Sequence, residues 1–316
     1  MVAGLRGRQD DDGAAGPRHP SLRDHRDRKR ELETEAKDIR PVTLVRSSHS
    51  PLAGRLQTRP EGVKIGRRWW VTFRCCLTSE GKARHGNFHD ESYAAIINQP
   101  AWASRLQKAH SGKSRCFLES DAGYAREMDS CTSSDALGMN IFCHPSITAN
   151  KALAQQFGFD VLPTPDFGIK AKLPLASGGF EPTSTEIDLR FQSSAHTVLA
   201  ECKLTEGDFT SRSRAHVERY AAFTETFNVK RLPQKDGQFL HYQLIRNVLA
   251  MRYHNASFFL ICDQRRPDLQ EAFVEVVTAI ADPKHRQRCA IITWQQITAT
   301  QPMYLQPFFA AKYGIK

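Results

Sequence analysis

The residues of this sequence best suited to chemistry are two acids and a lysine within 186–203. The stretch reads EIDLRFQ, then SSAH, then TVLAECKL. Two runs rich in β-branched and aromatic residues around a short polar break predict a β-hairpin. With 193–196 as the loop, Gln192 pairs with Thr197. Counting outward, Asp188 falls opposite Glu201, and opposed residues of an antiparallel pair share a face. One face then carries Asp188, Glu201 and Lys203. The other carries Ile187, Leu189, Phe191, Val198, Ala200 and Cys202, because side chains alternate along a strand. Two facing carboxylates resist joint ionisation unless a cation separates them. Hard oxygen donors with room for water and phosphate suit magnesium or manganese. A lysine two residues after the second acid can hold a water or a phosphate oxygen beside the metal. That is equipment for metal-assisted phosphodiester hydrolysis. The competing reading is an ordinary surface hairpin with Asp188–Lys203 or Glu201–Arg190 ion pairs, each of small value.

The elements that must position these residues follow from pattern. Upstream, 69–73 reads as a strand, with Cys75 and Cys76 as core packing, and 91–98 and 101–109 read as helices separated by Pro100. Gly112-Lys113-Ser114 resembles the end of a phosphate-binding loop, but Gln107 stands where its first glycine belongs, which excludes that motif. Ser133 or Ser134 caps a helix over 135–142. Cys116, Cys131, Cys143 and His144 lack C-x-x-C spacing, which argues against structural zinc. A short helix over 149–157 ends at Gly158, and a first strand is expected over 166–175, broken at Gly178-Gly179. After Lys203, Glu206 and Asp208 either reach the site through water or open the next helix, where acids suit the N-terminal dipole.

That next helix is expected over 211–227, carrying Arg212, Arg214 and Arg219, which either contact DNA phosphates or form a solvated face. A clearer helix spans 239–254. Leu244, Ile245, Val248, Leu249 and Met251 form its apolar side, and Gln243, Arg246, Asn247 and His254 a polar stripe. Residues 256–262 and 289–294 read as buried strands joined by a helix over 267–280, which predicts a parallel βαβ unit.

The pattern resembles the PD-(D/E)XK nuclease superfamily, with Asp188 as its first acid and Glu201-Cys202-Lys203 as its E-x-K. The run ECKLTEGDF, preceded by GFEPT, is similar to bacterial restriction-endonuclease-like proteins within it. Ile187 stands where that motif has proline. The resemblance implies an α/β restriction-endonuclease-like core over 116–300, a mixed sheet flanked by helices in αβββαβ order, with an N-terminal elaboration over 61–115. It implies that Asp188, Glu201 and the backbone carbonyl of Cys202 hold Mg2+ or Mn2+, and that Lys203 orients the attacking water. An upstream helix in the superfamily lends an extra acid in some members; Glu119 and Glu127 are the candidates here. Gln243 and Arg246 are expected beside the centre, joining Arg212 and Arg214 as nucleic-acid contacts. The implied activity is DNA cleavage in a restriction or defence system. The alternatives are a repair or recombination nuclease, or a nuclease-like domain that only binds nucleic acid.

Composition bounds the rest. The chain has 316 residues, 40% of them apolar, enough for a sizeable core. A net charge of +10 favours a polyanionic partner. Residues 1–60, poor in large apolar side chains, read as a disordered arm, leaving 61–316 as the nuclease-like domain. The eight cysteines show no regular spacing, there is no apolar signal-peptide core, and no apolar run reaches membrane-spanning length. The expectation is a cytoplasmic protein with free thiols, with DNA as partner. A homodimer is the common arrangement among double-strand cutters.

Overall fold

The hairpin lies at the heart of a five-stranded sheet. The computed structural model describes residues 86–109, 126–130, 132–182 and 186–316. It adds the backbone of four short strand segments, Val63–Ile65, Arg68–Trp70, Cys76–Leu77 and Ala83–Arg84. The expectations for residues 1–60, Cys75, the 112–114 motif, Cys116, Glu119 and Cys131 lie outside the described residues.

Two helices come first, α1 (Asp90–Asn98) and α2 (Pro100–Arg105). Pro100 starts α2, as its fixed φ favours at a first helical position. Helix α3 (Ser134–Phe142) is capped by the Ser133 hydroxyl, which accepts the Ala136 amide at 3.1 Å. After α4 (Lys151–Gln156) come β1 (Asp166–Lys170), β2 (Glu186–Gln192) and β3 (Thr197–Cys202). Helix α5 (Tyr242–Tyr253), β4 (Ser257–Cys262), α6 (Pro267–Thr278) and β5 (Cys289–Thr293) follow. Helices α7 (Trp294–Ala299) and α8 (Gln306–Tyr313) end the chain. Spatially the strands run β5-β4-β3-β2-β1. The β4/β5 and β3/β4 pairs are parallel; β2 pairs antiparallel with both β3 and β1. The sheet is therefore mixed, with the expected parallel unit β4-α6-β5.

Two apolar layers cover the sheet. Helices α5 and α6 bury Leu244, Val248, Leu269 and Phe273 against Leu199, Phe258 and Leu260. On the other face α3, α4, α7 and α8 bury Phe142, Leu153, Trp294 and Phe309 against Leu189, Phe191, Ala200 and Ile261. Each such side chain contributes roughly 1.5–3 kcal/mol, so the strands are held by burial on both faces. A smaller cluster of Phe88, Ile96, Met128 and Met139 fastens α1 to α3.

Two features depart from the sequence reading. The helix expected over 211–227 is instead a short strand, Arg212–Ser213, and two short helices, Arg214–Glu218 and Phe223–Thr226. The strict alternation of β2 also breaks. Ile187 packs in the same layer as Leu199, whereas Leu189 and Phe191 pack in the opposite layer. The break falls at Asp188. The pairs Phe167–Leu189 and Ile169–Ile187 leave Gly168 across from it, and Gly168 has φ 65°, a left-handed conformation that costs glycine little.

Candidate active site

The β2/β3 register runs from Gln192–Thr197 to Leu189–Ala200, as counted from the sequence. One residue further on, Asp188 turns its Oδ2 to accept the Cys202 amide at 2.8 Å. The hairpin thus ends in a side-chain-to-backbone bond that fixes the first acid against the E-x-K segment. Glu201 is almost fully buried, and its oxygens are divided. Oε1 pairs with Lys203 Nζ at 2.9 Å, and Oε2 accepts from Asn247 Nδ2 at 2.8 Å. Neither ion pair of the surface-hairpin reading forms: Glu201 takes Lys203, and Arg190 pairs with Asp166 at 2.8 Å.

Asp135 at the start of α3 lies near enough to Asp188 to act on its charge. Burial pushes the Asp188 carboxyl well above the usual carboxylate range, and the Glu201 and Asp135 charges push it further. For Asp135 itself burial acts in the same direction, but Lys108 and Arg105 outweigh it and hold that carboxyl low. Arg105 donates to both Asp135 oxygens, at 3.2 and 3.0 Å, and to Glu186 at 3.0 Å. Lys108 lies 2.8 Å from Asp135 and 3.1 Å from Glu186. Gly168 makes room for this clamp, since a Cβ there would overlap the Arg105 guanidinium.

The other expected residues divide. Gln243 on α5 is at the centre: its Oε1 accepts from Lys203 Nζ at 3.3 Å. Arg246, three residues along, points elsewhere. It is fully buried, bonded to Glu181 and to the Ala171 carbonyl, so it offers no contact to a nucleic acid. Asn247, one turn from Gln243 in the same polar stripe, faces Glu201 instead. Arg212 is exposed over the Tyr242 ring at 5.4 Å, whereas Arg214 is tied to Glu218 at 2.7 Å. Glu127 sits in the single turn Glu127–Asp129, and Asp135 is an upstream acid whose charge acts on Asp188. Its legible signal was an acid in the first turn of the helix preceding the sheet. Glu206 opens no helix. Its carboxylate accepts the Leu204 amide and the Ser134 hydroxyl, both at 2.6 Å, joining the end of β3 to α3. Asp208 accepts the Thr210 amide at 2.9 Å in a local turn.

The donor set fits a hard divalent cation. Asp135 and Glu186 are already neutralised by Arg105 and Lys108. Among the described residues no partner engages Asp188 Oδ1, and each Glu201 oxygen, with one hydrogen bond, keeps acceptor capacity. Cys202 offers only its carbonyl, because burial, with the nearby carboxylates adding to it, pushes its thiol well above the normal range.

The family model described as Restriction Endonuclease associating with ARP matches residues 63–314. No curated protein and no solved structure matches the chain.

Proposed function

Because the chain belongs to the family of restriction endonucleases associating with ARP, we propose that it is a metal-dependent endonuclease hydrolysing DNA phosphodiester bonds at a PD-(D/E)XK centre. The observation that carries this reading is the convergence at the end of β3: Asp188 bound to the Cys202 amide, with Lys203 2.9 Å from Glu201. Asp188, Glu201 and the Cys202 carbonyl would hold Mg2+, or Mn2+ in its place. Such an ion polarises the scissile phosphate and acidifies a water.

The chain's own residues supply position and charge. Burial lowers the Lys203 pKa, but the Glu201 and Asp188 charges overcome it and hold the ammonium well above its ordinary value. Lys203 is the cation of the centre, paired with Glu201 at 2.9 Å. It orients the attacking water and balances charge as the five-coordinate phosphorus develops. Gln243 positions its Nζ, and Asn247 fixes the second oxygen of Glu201. In-line attack leaves a 5′-phosphate and a 3′-hydroxyl. The family's description names restriction endonucleases and an association with ARP; we extend both to this chain and read its role as restriction or defence. DNA as partner, a homodimer and a cytoplasmic location complete the reading. No described helix is long and apolar enough to cross a membrane.

The test is cleavage of mixed plasmid and linear DNA with Mg2+ or Mn2+ by wild type and Glu201→Ala. Wild type is expected to cut, and Glu201→Ala to lose at least about 100-fold in rate. If neither cuts and both bind DNA equally, the non-catalytic binding domain replaces the nuclease.

A further inference from the structure

At the far end of α3 from Asp135, a second group of side chains has metal-ligand chemistry and no part in the acid cluster. His89 precedes α1, Glu91 lies in its first turn, and His144 follows α3. One ligand atom from each lies within 4.8 Å of the other two. Nε2 of His144 is 3.0 Å from Glu91 Oε2. The Tyr304 hydroxyl closes the group, 3.2 Å from Glu91 Oε2 and 3.4 Å from His144 Nε2.

The group is built, not incidental. Asn140 of α3 accepts the His89 amide at 2.7 Å and donates to the Asn87 carbonyl at 2.8 Å, fixing the start of α1 against α3. His144 is 1% exposed. The ring nitrogen Nδ1 of His89 is buried with no hydrogen-bond partner. A buried polar atom left unpaired in a native protein calls for an ion or water that completes it.

We propose that His89, Glu91 and His144 form a zinc site that pins α1, the end of α3 and the Met303–Leu305 turn together. Two imidazoles and one carboxylate are the donors of an open zinc site, with water as the fourth ligand. Imidazole suits zinc, whereas Mg2+ demands oxygen donors, so this site and the acid cluster select different ions. At zinc bond lengths ligand atoms sit about 3.4 Å apart, so small side-chain rotations close the set. Ser146 provides the outer support. His144 Nδ1 accepts the Ser146 amide at 3.1 Å, which leaves the ring proton on Nε2, facing Glu91. With zinc on Nε2 that proton moves to Nδ1. There the Ser146 hydroxyl, 2.8 Å away, accepts it in place of the amide contact. An outer hydrogen bond of this kind fixes tautomer and orientation at metal-bound histidines.

The experiment titrates zinc chloride into the full chain by calorimetry, on an Asp188→Asn background that disables the acid cluster. One zinc per chain is expected, raising the melting temperature, with Mg2+ giving no such rise. Glu91→Gln alters a half-exposed carboxylate and should leave the circular dichroism unchanged while weakening zinc at least about tenfold. His89→Gln combined with Glu91→Gln should abolish the zinc-dependent melting shift. No binding by the parent, or zinc binding unchanged in the double variant, would overturn the site. Neither result bears on the nuclease centre, since Asp188→Asn has removed it throughout.

Discussion

Asp188 is held in a folded environment that resists its charge. Burial and the neighbouring acids set its pKa above the unfolded value, so the folded chain keeps this proton to higher pH than the unfolded chain does. The metal-free protein should therefore lose stability as pH rises from the ordinary carboxyl range through that raised pKa. Asp188→Asn should remove this loss and stabilise the metal-free protein at mildly alkaline pH. The variant should melt at a higher temperature than the wild type there, while cleavage is abolished. Melts across pH, with and without Mg2+, check both parts; an unchanged pH slope in the variant would contradict the assignment. Divalent cation takes the place of the proton, so Mg2+ affinity should rise with pH over the same window. Asp135 has the opposite sign. Its lowered pKa gives stability that is present above the unfolded value and lost as pH falls through the folded one.

At the scale of elements, the site depends on the kink where β1 and β2 meet Arg105. Gly168→Ala places a Cβ on the guanidinium and strains a backbone at φ 65°. The expected cost is roughly 2–4 kcal/mol, the sum of overpacking and left-handed strain. Urea unfolding should show it, together with weaker cleavage as Asp135 loses its clamp. Gly179→Ala is the control, since it shares a positive φ but has open space around the would-be Cβ. It should cost about 1 kcal/mol and leave cleavage unchanged. Equal costs at the two positions would mean that the Arg105 contact carries no energy.

At the scale of the whole molecule, two arginines of the same sequence neighbourhood have different work. Arg212 is exposed over Tyr242, where a phosphate can reach it. Arg212→Ala should weaken binding to all DNA sequences alike and reduce the log–log salt slope by about 0.9. Arg246 is buried against Glu181, and Glu181 also accepts from Tyr220 at 2.9 Å. Arg246→Ala strands that carboxylate and should cost about 3–5 kcal/mol in stability. Binding isotherms at several salt concentrations, set beside denaturant curves, separate the two roles. If Arg212→Ala leaves affinity and slope unchanged, this face does not meet the phosphate backbone.

The sequence by itself determined the hairpin, its register, the Asp188–Glu201–Lys203 set, and the alternation of helices with buried strands around it. Those features are local. A four-residue break sets a register, period-two and helical patterns set faces, and Ser133 sets a helix start. Only the tertiary structure decided the rest. It brought Asp135 beside Asp188, turned Asn247 toward Glu201, and buried Arg246 with a glutamate 65 residues away in sequence. It gathered Arg105 and Lys108 around acids from two other segments, Asp135 of α3 and Glu186 of β2. A polar stripe on a helix shows which residues avoid one apolar face. It carries no information on which polar partner, brought by a distant segment, each will meet. The flip at Asp188 was hidden for the same reason. Alternation predicts a regular strand, and the left-handed Gly168 that breaks it belongs to the neighbouring strand.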